Sequence, residues 1–82
     1  MAQFTYVITD EVGIHARPAG LLVKAAKAAG CSVTISKGEK TADASKLMAV
    51  MSLGVKRGDE VTVAADDENA LENLKKFFEE NL

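Results

Sequence analysis

The residues best suited to chemistry stand together in Gly13-Ile14-His15-Ala16-Arg17-Pro18-Ala19. His15 is the only histidine of the chain. It immediately precedes a segment whose apolar spacing predicts a helix. A neutral imidazole can act as a nucleophile toward phosphorus. The start of a helix presents unpaired backbone N–H groups, here those of Ala16 and Arg17, together with the positive end of the macrodipole. Those groups make an anion site. The Arg17 guanidinium can add charge-assisted hydrogen bonds to phosphate oxygens. Pro18 falls in the first turn, where its missing N–H costs nothing. The chemistry implied is phosphorylation of a solvent-facing imidazole, with the phosphate held by the helix amides and Arg17. One histidine before one helix is more often a surface or capping residue, so the surroundings have to carry the reading.

Two further features supply those surroundings. Leu47, Met48, Val50, Met51 and Leu53 crowd a short apolar segment. A helix so brief cannot bury every side, so part of Leu47, Met48 and Met51 is expected to stay exposed as an apolar docking patch. Methionines suit surfaces that accept more than one partner. Ordinary core packing is the competing explanation. On the first helix, Arg17, Gly20, Lys24 and Lys27 recur at spacings of three and four and share a face. That stripe is either a solvated helix face or a basic surface that steers an acidic partner toward His15. Cys31 alternates inward and reads as core. Asp66-Asp67-Glu68 lacks the spacing of a calcium loop and reads as a helix cap.

Composition narrows the function further. The chain has 82 residues, 48% hydrophobic and 27% charged, with 10 Lys+Arg against 12 Asp+Glu. This length predicts one globular domain over residues 1–82, because halves would be too small to bury a core. The net charge of -2, the absence of Trp and the single Tyr disfavour a nucleic-acid binder. No apolar run reaches the length of a membrane span. The N-terminal residues show neither a basic region nor an apolar signal core, which predicts a cytoplasmic protein. One cysteine and one histidine cannot assemble a structural zinc site. No glycine-rich phosphate loop is present, so no metal or cofactor is expected.

The elements that must position these residues follow from periodicity. Residues 3–9 alternate, with Phe4, Tyr6 and Ile8 on the face suited to burial. A helix is predicted from about Ala16 to Ala29, with Leu21, Leu22, Ala25, Ala28 and Ala29 as its apolar face and Gly30 as its C-cap. Cys31, Val33 and Ile35 point inward on a second strand. Lys37-Gly38-Glu39 is a turn, and Lys40 to Asp43 a polar edge strand. Residues 46–53 form a short helix closed by Gly54. After a turn at Lys56-Arg57-Gly58-Asp59, residues 60–65 give a strand with Val61, Val63 and Ala65 inward. The acidic run then caps a helix over 69–80 with Ala70, Leu71, Leu74, Phe77 and Phe78 on its core face. The order strand, helix, strand, strand, helix, strand, helix predicts an α+β open-faced sandwich, with helices on one face of a four-stranded sheet and water on the other.

Gly13-Ile14-His15-Ala16-Arg17-Pro18-Ala19 resembles the active-site signature of the HPr family, the histidine-containing phosphocarriers of the phosphoenolpyruvate-dependent sugar phosphotransferase system. Met48-Ala49-Val50-Met51-Ser52-Leu53-Gly54 resembles that family's second conserved segment, in its Gram-positive form. The resemblance covers nearly the whole chain. It implies an antiparallel sheet in strand order 1-4-2-3 with three helices on one face. It also implies a stoichiometric phosphoryl carrier rather than an enzyme. His15 would accept phosphate on Nδ1 from phosphorylated Enzyme I and pass it to a sugar-specific Enzyme IIA, and Arg17 would bind the phosphate. Gly20, Val23, Lys24, Lys27, Leu47, Met48 and Met51 fall where family members touch their partners. A monomer is expected of a carrier that presents one site to several partners.

The match departs from the family at the position where many Gram-positive members carry a serine phosphorylated by HPr kinase. Lys46 stands there, and the serine is one residue earlier, at Ser45. A phosphoserine beside the apolar patch would weaken docking, and lysine cannot supply it. The substitution argues against regulation by HPr kinase and leaves Ser45 as a helix N-cap or as the one residue available to such a kinase. Gly20 is a second departure, since alanine is usual there. Two alternatives stay open: a regulatory binding module of the same fold, and a carrier for a non-sugar branch of phosphotransfer.

Overall fold

The computed structural model describes residues 2–11 and 16–82, with the backbone alone at Ala16. The elements are β1 (Ala2–Val7), α1 (Ala16–Ala28), β2 (Val33–Lys37), β3 (Lys40–Asp43), α2 (Leu47–Ser52), β4 (Glu60–Ala65) and α3 (Glu68–Asn81). The strands form one sheet in the order β1-β4-β2-β3. Every neighbouring pair is antiparallel. This is the expected open-faced sandwich and the expected strand order.

The two-residue alternation of the strands separates the sheet's faces. Phe4 pairs with Val63, Val63 with Ile35, and Ile35 with Ala42, a row directed at the helices. One register step away, Thr5, Thr62, Ser36 and Thr41 form a hydroxyl row across all four strands on the open face. The Ser36 and Thr41 hydroxyls lie 3.0 Å apart within it. Ile8, Leu22, Ile35, Val50, Val61, Val63, Leu74 and Phe78 are the large side chains sealed between sheet and helices. Phe78 stands edge-on to Phe4 and Tyr6, each with ring centroids 5.6 Å away, a favoured quadrupole geometry. Asp67 caps α3, its side chain accepting from the Asn69 N–H at 2.8 Å, as the acidic run predicted.

The buried stripe of α1 differs from the expected one. Ala19, Leu22, Val23 and Ala26 face the core, while Leu21 is 42% exposed and Ala28 is also exposed. Ala25 and Ala29 pack at the margin. Apolar residues surround much of this helix, so its composition admits two stripes separated by about 100° of rotation. Ala19, Leu22, Val23 and Ala26 join the core cluster where α1 meets α2 and α3, and that packing selects the stripe. Cys31 also departs slightly: it precedes β2 and is half-buried, whereas Val33 and Ile35 point inward as expected.

Candidate functional site

The site is assembled where the chain leaves β1 and enters α1. Its approach is fixed by hydrogen bonds. The Ile8 N–H donates to the Asp59 carbonyl at 3.0 Å, and the Gly58 N–H donates to the Ile8 carbonyl at 2.9 Å. The Asp10 N–H and the Thr9 hydroxyl both donate to the Leu82 carbonyl, at 2.9 and 2.8 Å. With Ile8 and Leu82 buried, the segment entering the site is tied both to the turn before β4 and to the end of α3. His15 lies outside the described residues, as do Val12, Gly13 and Ile14.

Beyond His15, α1 begins at Ala16, the residue at which the sequence places the anion-binding N–H groups. The N–H groups of Ala16 and Arg17 belong to its first turn, which has no intrahelical acceptors. Pro18 is buried in that turn, and Arg17 is exposed. An open cavity of about 280 Å³ adjoins Arg17 and is lined also by Asp10, Pro18, Leu21, Glu80 and Asn81. Asp10 and Glu80 thus put two carboxylates in the lining of the same cavity.

The basic stripe is real as a surface: Arg17, Gly20, Lys24 and Lys27 are all exposed along α1. Val23, a partner-touching position by the family resemblance, does not share that exposure. It is only 9% exposed and belongs to the core, because it lies on the helix stripe that joins the core cluster beside α2 and α3. A Cβ placed on Gly20 would meet no atom within 4 Å, so no contact within the chain demands glycine there. α2 lies against α1 and exposes Leu47 (41%), Met48 (77%) and Met51 (38%), while Val50 is sealed beneath. The apolar patch expected from the brevity of this helix is thus present.

Ser45 does not cap α2. The N-cap residue is Lys46, which makes no side-chain cap bond. The Ser45 hydroxyl and backbone N–H instead both donate to Asp43 Oδ1, at 2.6 and 2.9 Å. These two bonds, with the nearby Lys46 charge, hold the Asp43 carboxyl below its ordinary range. The carboxylate two residues before Ser45 captures both donors in a tight turn, so they turn away from the helix. Leu21 and Glu80 were not among the sequence-derived site residues. Leu21 sits one turn beyond Arg17 on the same face, a signal hidden by its assignment to the core. Glu80 is distant in sequence and arrives only through the docking of α3.

Among the described residues, no cluster of three His, Cys, Asp or Glu side chains is placed to hold a metal ion. No described helix is long and apolar enough to cross a membrane.

Comparison with known proteins points in one direction. A protein-family model described as the PTS HPr component phosphorylation site matches residues 2–80. The phosphocarrier protein HPr of Mycoplasma capricolum is 43% identical over 70 residues, covering 85% of this chain and 79% of that one. The corresponding protein of Streptomyces coelicolor is 43% identical over 74 residues, covering 85% and 80%. The solved structure of a mycoplasma histidine-containing phosphocarrier protein superposes with a TM-score of 0.88 at 38% identity, covering 93% of this chain and 90% of that one.

Proposed function

The chain belongs to the HPr family of phosphocarrier proteins, and we propose that it accepts a phosphoryl group on His15 from phosphorylated Enzyme I and passes it to a sugar-specific Enzyme IIA. Phosphoenolpyruvate is the ultimate donor. His15 Nδ1 attacks phosphorus, the bond from phosphorus to Enzyme I breaks, and the acceptor protein later takes the same group from His15. The chain acts as a stoichiometric cytoplasmic carrier and presents one site to both partners as a monomer.

The observation that carries this reading is the family match extending through the His15 segment and on to residue 80. The exposed Arg17 at the start of α1 supports it. The exposed basic stripe and the Leu47-Met48-Met51 patch give a donor and an acceptor protein the same landing surface. The position taken by Lys46 leaves phosphotransfer, rather than regulation by HPr kinase, as the primary role.

The test is to mix the protein with Enzyme I and phosphoenolpyruvate, read the intact mass, and expose the product to acid. One acid-labile phosphate, absent in His15→Ala, is expected. No phosphate from an Enzyme I that is active on a control carrier would overturn the proposal in favour of a regulatory binding module.

A further inference from the structure

The docking patch rides on a helix that cannot hold itself in place. α2 has six residues, far fewer than an isolated helix needs to persist in water. Its N-cap contributes no side-chain hydrogen bond, and Val50 is its only fully buried residue. Leu47, Met48 and Met51 leave 41%, 77% and 38% of their surface to solvent, so they anchor it only in part. Before the helix, the Asp43–Ser45 turn fixes the incoming chain. After it, Gly54 reverses direction with φ at +63°, and the Leu53 and Gly54 N–H groups close back on the Val50 and Met51 carbonyls.

One side chain reaches that second end from elsewhere in the fold. Lys37, the last residue of β2, donates from Nζ to the Gly54 carbonyl at 2.9 Å. The same ammonium is 2.9 Å from Asp59 Oδ2, an oxygen that also accepts the Lys56 N–H at 2.8 Å. Its positive charge stands at the C-terminal end of α2, the favourable end for a cation. The Lys37 bond and the Lys56 amide keep the Asp59 carboxyl below its ordinary range. Asp59 belongs to the turn whose backbone holds Ile8 on the approach to His15. Lys37 therefore joins the sheet, the end of the patch helix and the segment leading to the phosphorylation site.

We infer that Lys37 is a positioning residue: through Gly54 and Asp59 it holds α2, and with it Met48 and Met51, in the orientation that partner proteins dock against. This deepens the transfer reading, on which its kinetic consequence rests. The Lys37 ammonium is bonded to Gly54 and Asp59, rather than to Arg17 or to the patch side chains Leu47, Met48 and Met51. Its loss should act on partner affinity and leave the phosphoryl chemistry unchanged. Both members of the pair are about one-third exposed, so water can replace the lost bonds and the fold should survive.

The experiment compares the parent with Lys37→Met and Lys37→Arg by two readouts. In amide hydrogen exchange, Lys37→Met should speed exchange at Leu53 and Gly54 by about fivefold, the scale of a lost ion pair at a partly exposed site. Amides of α3 should be unaffected. In transfer from Enzyme I, Lys37→Met should raise KM by about the same factor with kcat unchanged. Lys37→Arg, which keeps the charge and several donors, should restore both. Unaltered exchange at Leu53 and Gly54 in Lys37→Met would overturn the inference, as would a change in kcat with KM constant. If the parent itself accepts no phosphate, the transfer reading fails, and the exchange measurement still decides whether Lys37 holds the helix.

Discussion

Two neighbouring residues of α2 should separate docking from folding. Met48 is 77% exposed and Val50 is fully buried, although both lie on the same short helix. Truncating Met48 to Ala removes little that the folded monomer has buried, so its stability should change by less than about 0.5 kcal/mol. Against a partner, however, the methionine has most of its surface left to bury. Full burial of such a side chain is worth about 1.5–3 kcal/mol, and the alanine that remains recovers part of it. A loss of roughly 1–2 kcal/mol corresponds to about a 5–30-fold rise in the KM for Enzyme I. Val50→Ala deletes two methyl groups from the core. It should cost about 2 kcal/mol once the cavity is included, lowering Tm by about 8–16 °C for a chain of this size. Its effect on KM should be smaller than that of Met48→Ala. Thermal unfolding followed by circular dichroism and steady-state transfer kinetics on both variants provide the check. A Met48→Ala protein that melts as early as Val50→Ala, or that docks like the parent, would refute the reasoning.

Arg17→Gln should leave Tm within a degree or two of the parent, because the side chain is exposed, yet lower phosphoryl transfer by about 100-fold if the guanidinium stabilises developing charge; rapid-quench transfer assays would show it. Gly20→Ala should stabilise the protein by about 0.5–1 kcal/mol, since the new methyl group meets nothing and glycine costs that much inside a helix; a lower Tm would contradict the structure. Asp59 has its folded-state pKa depressed by Lys37 and the Lys56 amide, so its stabilising contribution is complete above the unfolded value near 4 and is lost as pH falls through the folded value. The difference in unfolding free energy between the parent and Asp59→Asn should therefore be constant above about pH 5 and shrink on acidification below about pH 4. A difference that grows as acid is added would reverse the assigned sign.

Much of this protein was readable without coordinates because its signals are local. Glu60–Ala65 alternates so cleanly that Val61, Val63 and Ala65 are the buried residues. Gly30 and Gly54 mark chain reversals that require positive φ. The Ala16 boundary of α1 follows from the motif around His15 and Pro18. The exposure of Leu47, Met48 and Met51 follows from the brevity of α2, since six residues cannot bury their whole circumference.

The remainder depended on what packs against what. An alanine-rich α1 carries two stripes of similar hydrophobicity, and only the packing of the whole helix into the core assigned Val23 to the interior and Leu21 to the surface. Ser45 has the chemistry of an N-cap, but Asp43 takes both of its donors. Glu80 reaches the Arg17 cavity, and Lys37 reaches Gly54 and Asp59, across separations that no periodicity encodes. Periodicity states which face of an element avoids water. It does not state which distant polar group will stand beside another, because that is set by the close packing of whole elements into one core.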